Sequence, residues 1–274
     1  MNKEAVKVEI KKIIIVAIFL IGIILILDRV GAEQTYKIAE RKISIPIFVY
    51  HNIVDDKSEI EYDYMQTTKA KFEEQIIGLK LLGYHFITYD DLIAYKNGEK
   101  ALSKRSCLIT FDDGLKGVYT NAFPIIQKYD VPITAFIINN NMETDLTLSW
   151  KEAKEMEESG LVTIASHSMD HVKFDTLSVE EAVKNVNKSY EQIEEKLGKK
   201  VQNKIFTYPC GVAKEEQILA LEKEGFVQNL TDNKINSSKT LDLSRLHRDY
   251  PLNENIIMIM LKMKYREWKY QESI

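Results

Sequence analysis

Hydrophobic residues follow two different spacings along most of this chain. Short uninterrupted apolar runs, such as SCLITF at 106–111, are typical of buried strands, whereas apolar residues at every third or fourth position, as in 68–82, are typical of helices. Ser178 and Glu181 form a capping-box pattern that predicts where a long helix begins. We predict strands at 43–50, 85–88, 106–111, 133–138, 161–166, 204–208 and 226–230, and helices at 68–82, 90–96, 119–129, 150–159, 178–197, 214–223 and 254–263.

The predicted strands and helices alternate, which is the pattern of parallel strands joined by crossover helices. About seven such units in roughly 240 residues favour a closed or nearly closed barrel over an open sheet. The sequence has no dinucleotide-binding fingerprint and no phosphate-binding loop, either of which would favour the open form. We therefore expect an α/β fold, specifically an irregular (β/α)7-type barrel with parallel strands.

A separate apolar segment precedes these elements. Residues 13–27 are fifteen consecutive residues without a charge, rich in Ile and Leu, and four lysines lie before them. This charge order predicts a cytoplasmic N-terminus with the remainder of the chain outside the cytoplasm. We expect one N-terminal transmembrane helix that anchors the protein in the cell membrane, with secretion after cleavage near Ala32 as the alternative. The predicted divisions are 1–33 for the N-terminus and anchor or signal, 34–43 for a linker, and 44–274 for one large domain.

Composition narrows the class of protein further. Hydrophobic residues at 45% and charged residues at 28% exclude a disordered chain. A net charge of −4, without a basic block, argues against a nucleic-acid partner. Cys107 lies in a predicted strand and Cys210 in a predicted turn, and we expect two free thiols although the compartment permits a disulfide.

Polar residues gather directly after the predicted strands. His51 follows the first strand, Asp112 and Asp113 follow the strand at 106–111, and His167 and His171 follow the strand at 161–166. Catalytic groups of parallel barrels lie at the carboxyl ends of the strands. One aspartate and two histidines are a plausible ligand set for zinc or a similar divalent ion, and the second aspartate would remain free as a base.

Each feature also has a purely structural interpretation. The segment Asp112-Asp113-Gly114 is compatible with a hydrogen-bonded turn, His171 with a solvated loop, and His51 with a core histidine. A purely structural explanation would require all of these interpretations to be true at the same time, which disfavours it. Trp150 is more typical of a packing residue than of a sugar platform.

The motifs around these residues resemble a known family. Thr110-Phe111-Asp112-Asp113-Gly114 is similar to the first motif of the NodB-type polysaccharide deacetylases (carbohydrate esterase family 4), and His167-Ser168-Met169-Asp170-His171 to the second. Phe206-Thr207-Tyr208-Pro209-Cys210-Gly211 resembles the third. The early Phe48-Val49-Tyr50-His51 resembles the circularly permuted branch, which includes the biofilm poly-N-acetylglucosamine deacetylases. The resemblance spans residues 44–250.

The resemblance implies a role for each matching position. Asp113, His167 and His171 would bind one divalent metal ion, zinc first, with cobalt, nickel or iron also compatible. Asp112 would be the general base that deprotonates the metal-activated water, and His51 would protonate the leaving amine.

The third motif would contribute to substrate binding. The backbone N–H of Cys210 would help to stabilise the oxyanion, with Tyr208 and Pro209 in the same segment. Two departures from the family pattern concern this motif. Thr207 stands where an arginine commonly orients the base, so we expect Arg245 or Arg248 as a replacement. Cys210 stands where an aromatic residue is usual, which should change the wall of the sugar subsite.

The resemblance implies a metal-dependent enzyme that removes N-acetyl groups from a GlcNAc-containing extracellular polysaccharide. An exopolymer of the poly-β-1,6-linked type is favoured by the position of His51. The alternatives are a peptidoglycan deacetylase and a non-catalytic glycan-binding relative, although intact Asp112, Asp113 and the three histidines disfavour the latter. Adjacent aspartates do not provide the separated carboxylates of a glycosidase, and the HExxH pattern of many metalloproteases is absent. The expected partners are the acetylated amino-sugar polymer and the membrane.

Overall fold

The computed structural model describes residues 35–36, 44–62, 64–232, 234–238 and 241–270. The predicted anchor at 13–27 and the alternative cleavage site near Ala32 lie outside these residues. No helix in the described part of the chain has the length and apolar character that a membrane span requires.

The described residues form short strands that alternate with helices. The strands are β1 (Thr35–Tyr36), β2 (Ile47–Tyr50), β3 (Asn52–Val54), β4 (Gln66–Thr68), β5 (His85–Phe86), β6 (Leu102–Ser103), β7 (Ser106–Phe111), β8 (Ile133–Ile137), β9 (Val162–Ser166), β10 (Ile205–Thr207), β11 (Val227–Leu230) and β12 (Leu246–His247). The helices are α1 (Lys69–Leu81), α2 (Tyr89–Lys96), α3 (Phe123–Tyr129), α4 (Trp150–Glu158), α5 (Val179–Leu197), α6 (Glu215–Lys223) and α7 (Ile256–Lys269). Single 3₁₀ turns lie at Lys57–Glu59, Asn139–Asn141, Phe174–Thr176 and Pro209–Gly211, and a π-helical turn lies at Val118–Ala122.

The main sheet is parallel and nearly closes on itself. Its strands follow the order β12-β11-β10-β9-β8-β7-β2, and β5 pairs with the first residues of β7. Asp249, two residues beyond β12, forms a parallel bridge with Phe48 of β2. The Val49 N–H donates to the Asp249 carbonyl and the Asp249 N–H donates to the Ile47 carbonyl, both at 2.9 Å. The predicted parallel α/β barrel is therefore confirmed.

Alternation along the strands separates an inner layer from an outer layer. Leu108, Phe136 and Ala165 pack together in one buried cluster, to which α2 also contributes, whereas Ile109 and Ala135 belong to a second cluster that includes side chains of five other helices, α1, α3, α4, α5 and α7. Successive strand residues point to opposite faces of a sheet, so the first cluster fills the barrel and the second joins the barrel to its helices. This arrangement leaves the carboxyl ends of the strands to carry polar groups.

Helix boundaries follow local capping chemistry. The predicted capping box of Ser178 and Glu181 is present at the start of α5, and Gly198 ends that helix at φ 71°. The predicted single helix at 119–129 is wrong in detail, because a π-helical turn precedes α3. Pro124 lacks the N–H that a continuous α-helix would use there. Helix α7 begins at Ile256 and extends beyond the predicted end to Lys269.

The two cysteines are free, as predicted, with Cys107 buried and Cys210 exposed. The short strands β3, β4 and β12 were not predicted. Each has only two or three residues, which is too few to show a hydrophobic period.

Candidate active site

Two sharp turns at strand ends gather the polar residues. Asp113 follows β7 with φ at 71°, and Ser168 and His171 follow β9 with φ at 76° and 57°. Non-glycine residues seldom adopt this left-handed conformation, and such residues concentrate at functional sites. The turns bring side chains from β7 and β9, which are separated in the sheet by β8, to one place above the barrel.

Asp113, His167 and His171 form a compact group of potential metal ligands. Asp113 Oδ1 lies 3.4 Å from His167 Nε2 and 3.5 Å from His171 Nε2. A tetrahedral ion with bonds of about 2.1 Å holds its ligand atoms about 3.4 Å apart. The two spacings from Asp113 therefore match one small divalent cation, and all three ligand atoms lie within 4.8 Å of one another.

The orientation of His167 supports the same interpretation. Its Nδ1 lies 2.9 Å from the backbone carbonyl of Thr207. Because a carbonyl only accepts, Nδ1 carries the proton and Nε2 keeps the lone pair that a metal needs. The Asp113 Oδ1 is buried and has no hydrogen-bond donor among the described residues. A buried carboxylate oxygen without a donor is the kind of atom that a bound cation satisfies.

Burial and the carboxylates act on the protonation of this group in opposite directions. Burial lowers the pKa of His167, but the neighbouring carboxylates of Asp113 and Asp112 more than offset burial and raise that pKa. Burial and the neighbouring His167 together lower the pKa of the half-exposed His171. Burial opposes the charge of Asp113, yet the contact with His167 keeps its pKa below the ordinary value. The group therefore attracts positive charge to the space between its side chains.

Asp112 has a different partner from Asp113. The guanidinium of Arg248 donates to both of its carboxylate oxygens at 2.7 Å, and both side chains are almost fully buried. Arg248 also donates to the Thr231 hydroxyl at 3.0 Å and lies over the ring of Phe136 inside the barrel. Burial alone would raise the pKa of Asp112, but the charge of Arg248 more than offsets burial and lowers it to about 2.

Arg248 therefore holds the carboxylate that Thr207 cannot hold. Of the two arginines expected as candidates, Arg245 lies at the surface and pairs with Glu215 and with Asp242. Arg248 directly follows β12, and the pairing of β12 with β11 places Arg248 in the barrel. His247, the last residue of β12, has a different partner: its Nδ1 lies 2.7 Å from Oδ1 of Asp232.

His51 lies at the end of β2, next to the two aspartates. Its side chain is buried, and its Nδ1 has no hydrogen-bond partner among the described residues. Burial lowers the pKa of His51, and the charges of Asp112 and Asp113 act against that change. The ring of Tyr250 lies parallel to His51 at an interplanar angle of 6°, with 5.8 Å between the ring centres. Sequence reasoning missed Tyr250, because no motif marks it and only the closure of the barrel brings it to His51.

The third motif has Tyr208 and Pro209 buried and Cys210 exposed. Tyr208 is buried against Phe174 and Phe206, and its hydroxyl bonds with Gln228. Its side chain therefore belongs to the core, and Pro209 is buried beside it. A role of this segment in substrate binding stays a prediction. Cys210 is exposed in a turn with φ at 58°, and its backbone N–H remains the predicted oxyanion donor.

Comparison with known proteins places this geometry in a family. Residues 99–228 match the family model described as polysaccharide deacetylase, a range that includes both aspartates and the histidines 167 and 171 but neither His51 nor Arg248. A protein of Bacillus subtilis (strain 168) named YxkH is 28% identical over 209 residues, which cover 76% of this chain and 72% of that protein.

Two further similarities are to proteins of Staphylococcus epidermidis and Streptococcus pyogenes. The poly-β-1,6-N-acetyl-D-glucosamine N-deacetylase of Staphylococcus epidermidis is 34% identical over 177 residues. These residues cover 60% of this chain and 60% of that protein, so the chain spans less than two thirds of the staphylococcal relative. The structure of the Streptococcus pyogenes deacetylase PplD in complex with acetate covers 81% of this chain and 99% of its own, with a TM-score of 0.73 at 22% identity, and shows the same fold. The predicted resemblance is confirmed, and the chain carries a domain of the polysaccharide deacetylases, a family of hydrolases, whose model matches residues 99–228.

Proposed function

We propose that this protein is a metal-dependent hydrolase that removes N-acetyl groups from a GlcNAc-containing extracellular polysaccharide. The observation that carries the proposal is one cluster with three separate chemical tasks. Asp113, His167 and His171 converge within 4.8 Å as potential metal ligands, Asp112 is held beside them by Arg248, and His51 lies at the neighbouring strand end. Amide hydrolysis needs an activated water, a stabilised oxyanion and an acid for the leaving nitrogen.

The three ligand side chains suit a divalent metal ion, with zinc as the first candidate and cobalt, nickel or iron compatible with the same donors. One carboxylate oxygen and two imidazole nitrogens leave an open coordination position for water. A metal ion bound there would supply Lewis acidity, lowering the pKa of water and polarising the acetyl carbonyl. Asp113 Oδ1, buried without a donor, is the atom in the described residues that most directly favours this role.

Asp112 and His51 would perform the proton transfers. Asp112 is ionised across the physiological range because Arg248 lowers its pKa, so it can accept a proton from the attacking water. Arg248 fixes the direction of both carboxylate oxygens, which limits the positions from which a water can approach. His51 has a free ring nitrogen and would deliver a proton to the departing amine. The backbone N–H of Cys210 would stabilise the negative oxygen.

For the substrate, we favour a poly-β-1,6-linked N-acetylglucosamine exopolymer. The name of the Staphylococcus epidermidis relative assigns it that polymer, and the early His51 motif points in the same direction. Peptidoglycan is the competing polymer. Cys210 stands where the family usually has an aromatic residue beside the sugar subsite. The linkage of the polymer is therefore the part of the proposal that most needs a direct assay.

We further propose that residues 13–27 anchor the protein in the cell membrane with the hydrolase outside the cytoplasm. The support is the fifteen-residue apolar run and the four lysines before it. A polymer at the cell surface would then lie on the same side of the membrane as the site.

The test is acetate release from defined glycans. The full-length protein is incubated with β-1,6-linked N-acetylglucosamine oligomers, chitin oligomers and peptidoglycan, with chelator, without it, and after zinc is restored. We expect release from the β-1,6-linked oligomers that chelator abolishes and zinc restores. Release from peptidoglycan alone would change the substrate, and absence of release from all three glycans in zinc-loaded protein would contradict the proposed activity. The Asp113→Asn variant is the matched control for acetate from other sources.

A further inference from the structure

Helix α7 exposes an apolar surface that the hydrolase does not need. Five of the eleven large hydrophobic side chains that are exposed in the described part of the chain lie on this one helix. At about 100° per residue, all five fall within an arc of about 100°. We call this surface the α7 stripe, and it consists of Ile257, Met258, Leu261, Tyr265 and Trp268.

The opposite face of α7 is packed against the barrel. Ile259 and Met263 are buried in the same core cluster as side chains of α1. Ile256 lies against Gly78 of α1, where a Cβ would come within 2.7 Å of its side chain. The helix is therefore anchored on its inner face. Helix α7 is apolar on two faces, but packing against the barrel covers only one of them. The second apolar face, the stripe, therefore remains exposed to solvent.

Basic residues border the stripe. Lys264 lies on one side of it and Lys269 on the other, at the ends of the same arc. Helix α7 contains four basic residues and one acidic residue, Glu267, which pairs with Lys264. Tyr265 and Trp268 are in ring contact at 5.9 Å between centres. Aromatic rings bordered by lysines are typical of helices that lie in the interfacial layer of a membrane.

The second half of α7 lies toward the end of the barrel opposite the active site. Met263 and Arg266 line a small cavity with residues 44–46, which lead into the start of β2, whereas His51 follows the end of the same strand. The chain also reaches the barrel at this end. Thr35 of β1 pairs with Ser103 of β6, three residues before β7 begins.

The length of chain between the apolar segment and the barrel sets a limit on their separation. Leu27, the last residue of the apolar segment, is eight residues from Thr35, and eight extended residues span at most about 28 Å. If the apolar segment enters a bilayer, the end of the barrel that carries β1 must lie close to its surface. The α7 stripe is then within reach of the lipid.

We propose that the α7 stripe lies in the interfacial layer of a lipid bilayer and, with its lysines on anionic headgroups, turns the active site away from the membrane. The proposal rests on the membrane insertion of residues 13–27 proposed above. A bilayer fits better than a protein partner because the stripe joins aromatic and aliphatic side chains with bordering lysines. A polymer emerging from the cell surface would then meet the open end of the barrel.

Trp268 offers a direct measurement, because the chain contains only one other tryptophan, Trp150. The full-length Trp150→Phe protein is reconstituted in phosphatidylcholine–phosphatidylglycerol vesicles whose acyl chains carry bromine, a contact quencher of tryptophan. Interfacial burial of about 5–10 Å should reduce Trp268 emission about twofold or more relative to unbrominated vesicles. Flotation of the same vesicles reports membrane insertion of the chain independently. Vesicles of phosphatidylcholine alone should quench less.

Variants of the stripe provide the control. Leu261→Ser combined with Tyr265→Ser should relieve most of the quenching while acetate release stays unchanged. Leu219→Ser, which removes an exposed leucine from α6, should leave the quenching intact. Co-floating protein with unquenched Trp268 would overturn the stripe proposal and leave the anchor standing. Blue-shifted but unquenched Trp268 emission would overturn the stripe proposal and indicate that protein, rather than lipid, covers the stripe. Failure of the protein to float with the vesicles would overturn both the stripe proposal and the anchor proposal. Equal quenching in the neutral vesicles would overturn the role of the lysines.

Discussion

Arg248 holds Asp112 by two parallel hydrogen bonds of 2.7 Å, although the residues are 136 positions apart in the chain. Both groups are almost fully buried. A bidentate pair of this kind fixes the plane of the carboxylate as well as its position. The pair therefore orients Asp112 toward one direction of attack, next to the cluster of Asp113, His167 and His171.

Substitution of Arg248 should disable the proposed base without removing the proposed metal ligands. In Arg248→Lys, a single ammonium cannot engage both carboxylate oxygens in the same plane, so we expect kcat to fall by roughly 10²-fold. Bound zinc should remain stoichiometric, because none of the three ligand side chains changes. Steady-state acetate release and metal analysis on the same preparation test this prediction.

Arg245→Lys is the matched control, because Arg245 lies three residues away and pairs with surface carboxylates. Exposed ion pairs contribute little to the stability of a protein. The Arg245→Lys variant should therefore retain nearly full activity. Equal losses in the two variants would mean that Arg248 acts on the stability of the barrel rather than on Asp112, and circular dichroism would reveal such a loss.

The two adjacent aspartates should separate metal binding from turnover. Asp112→Asn removes the proposed base but none of the proposed ligands, so we expect a loss of about 10²–10⁴-fold in kcat with metal still bound. Asp113→Asn removes an anionic ligand, so metal content and turnover should fall together. Metal titration followed by acetate assay distinguishes them. Near-normal turnover in Asp112→Asn would exclude it as the base.

Tyr250 should act through its ring. It covers one face of His51 at an interplanar angle of 6°, so Tyr250→Leu should loosen His51 and reduce kcat about tenfold with little change in metal content. Tyr250→Phe keeps the ring and should stay close to the wild type. A large loss in Tyr250→Phe would instead assign the function to the hydroxyl. His51→Ala, which removes the proposed acid, should reduce kcat more than Tyr250→Leu does.

The sequence predicted the repeating part of this fold well because its strands are buried and its helices amphipathic. The strand at 106–111 and the helix at 178–197 were placed within a residue, since Ser178 caps α5 as the motif requires. A closed or nearly closed barrel was predicted, but the residues that close it were not predictable. The closure depends on two-residue β12 and on one bridge between Asp249 and Phe48, and neither leaves a periodic signal.

The same limit applies to the site. Residues adjacent in a motif, such as Asp112 and Asp113, predicted the candidate site, and the structure brings Asp113 together with His167 and His171. Choosing Arg248 over Arg245 required the register of β12 against β11, in which His247 lies opposite Leu230. The burial of Tyr208 was not predictable for a related reason: its place in a motif is visible in the sequence, but the direction of its side chain is decided by packing against Phe174.

Asp249, which closes the barrel, should make stability depend on pH. Burial raises the pKa of its carboxyl to about 6, even with Arg266 at 2.8 Å, and its Oδ1 lacks a hydrogen-bond donor among the described residues. Between about pH 4 and pH 6 the folded protein therefore holds a proton that the unfolded chain has released, so stability falls as pH rises through this window. The side chain in Asp249→Asn is neutral at every pH, so the stability of this variant should not fall in that way. The fall expected for the wild type is roughly 1–3 kcal/mol. Urea unfolding of both proteins at about pH 4.5 and pH 7 tests this. If the difference in stability between wild type and variant is the same at both pH values, Asp249 is ionised throughout and Arg266 fully compensates its burial.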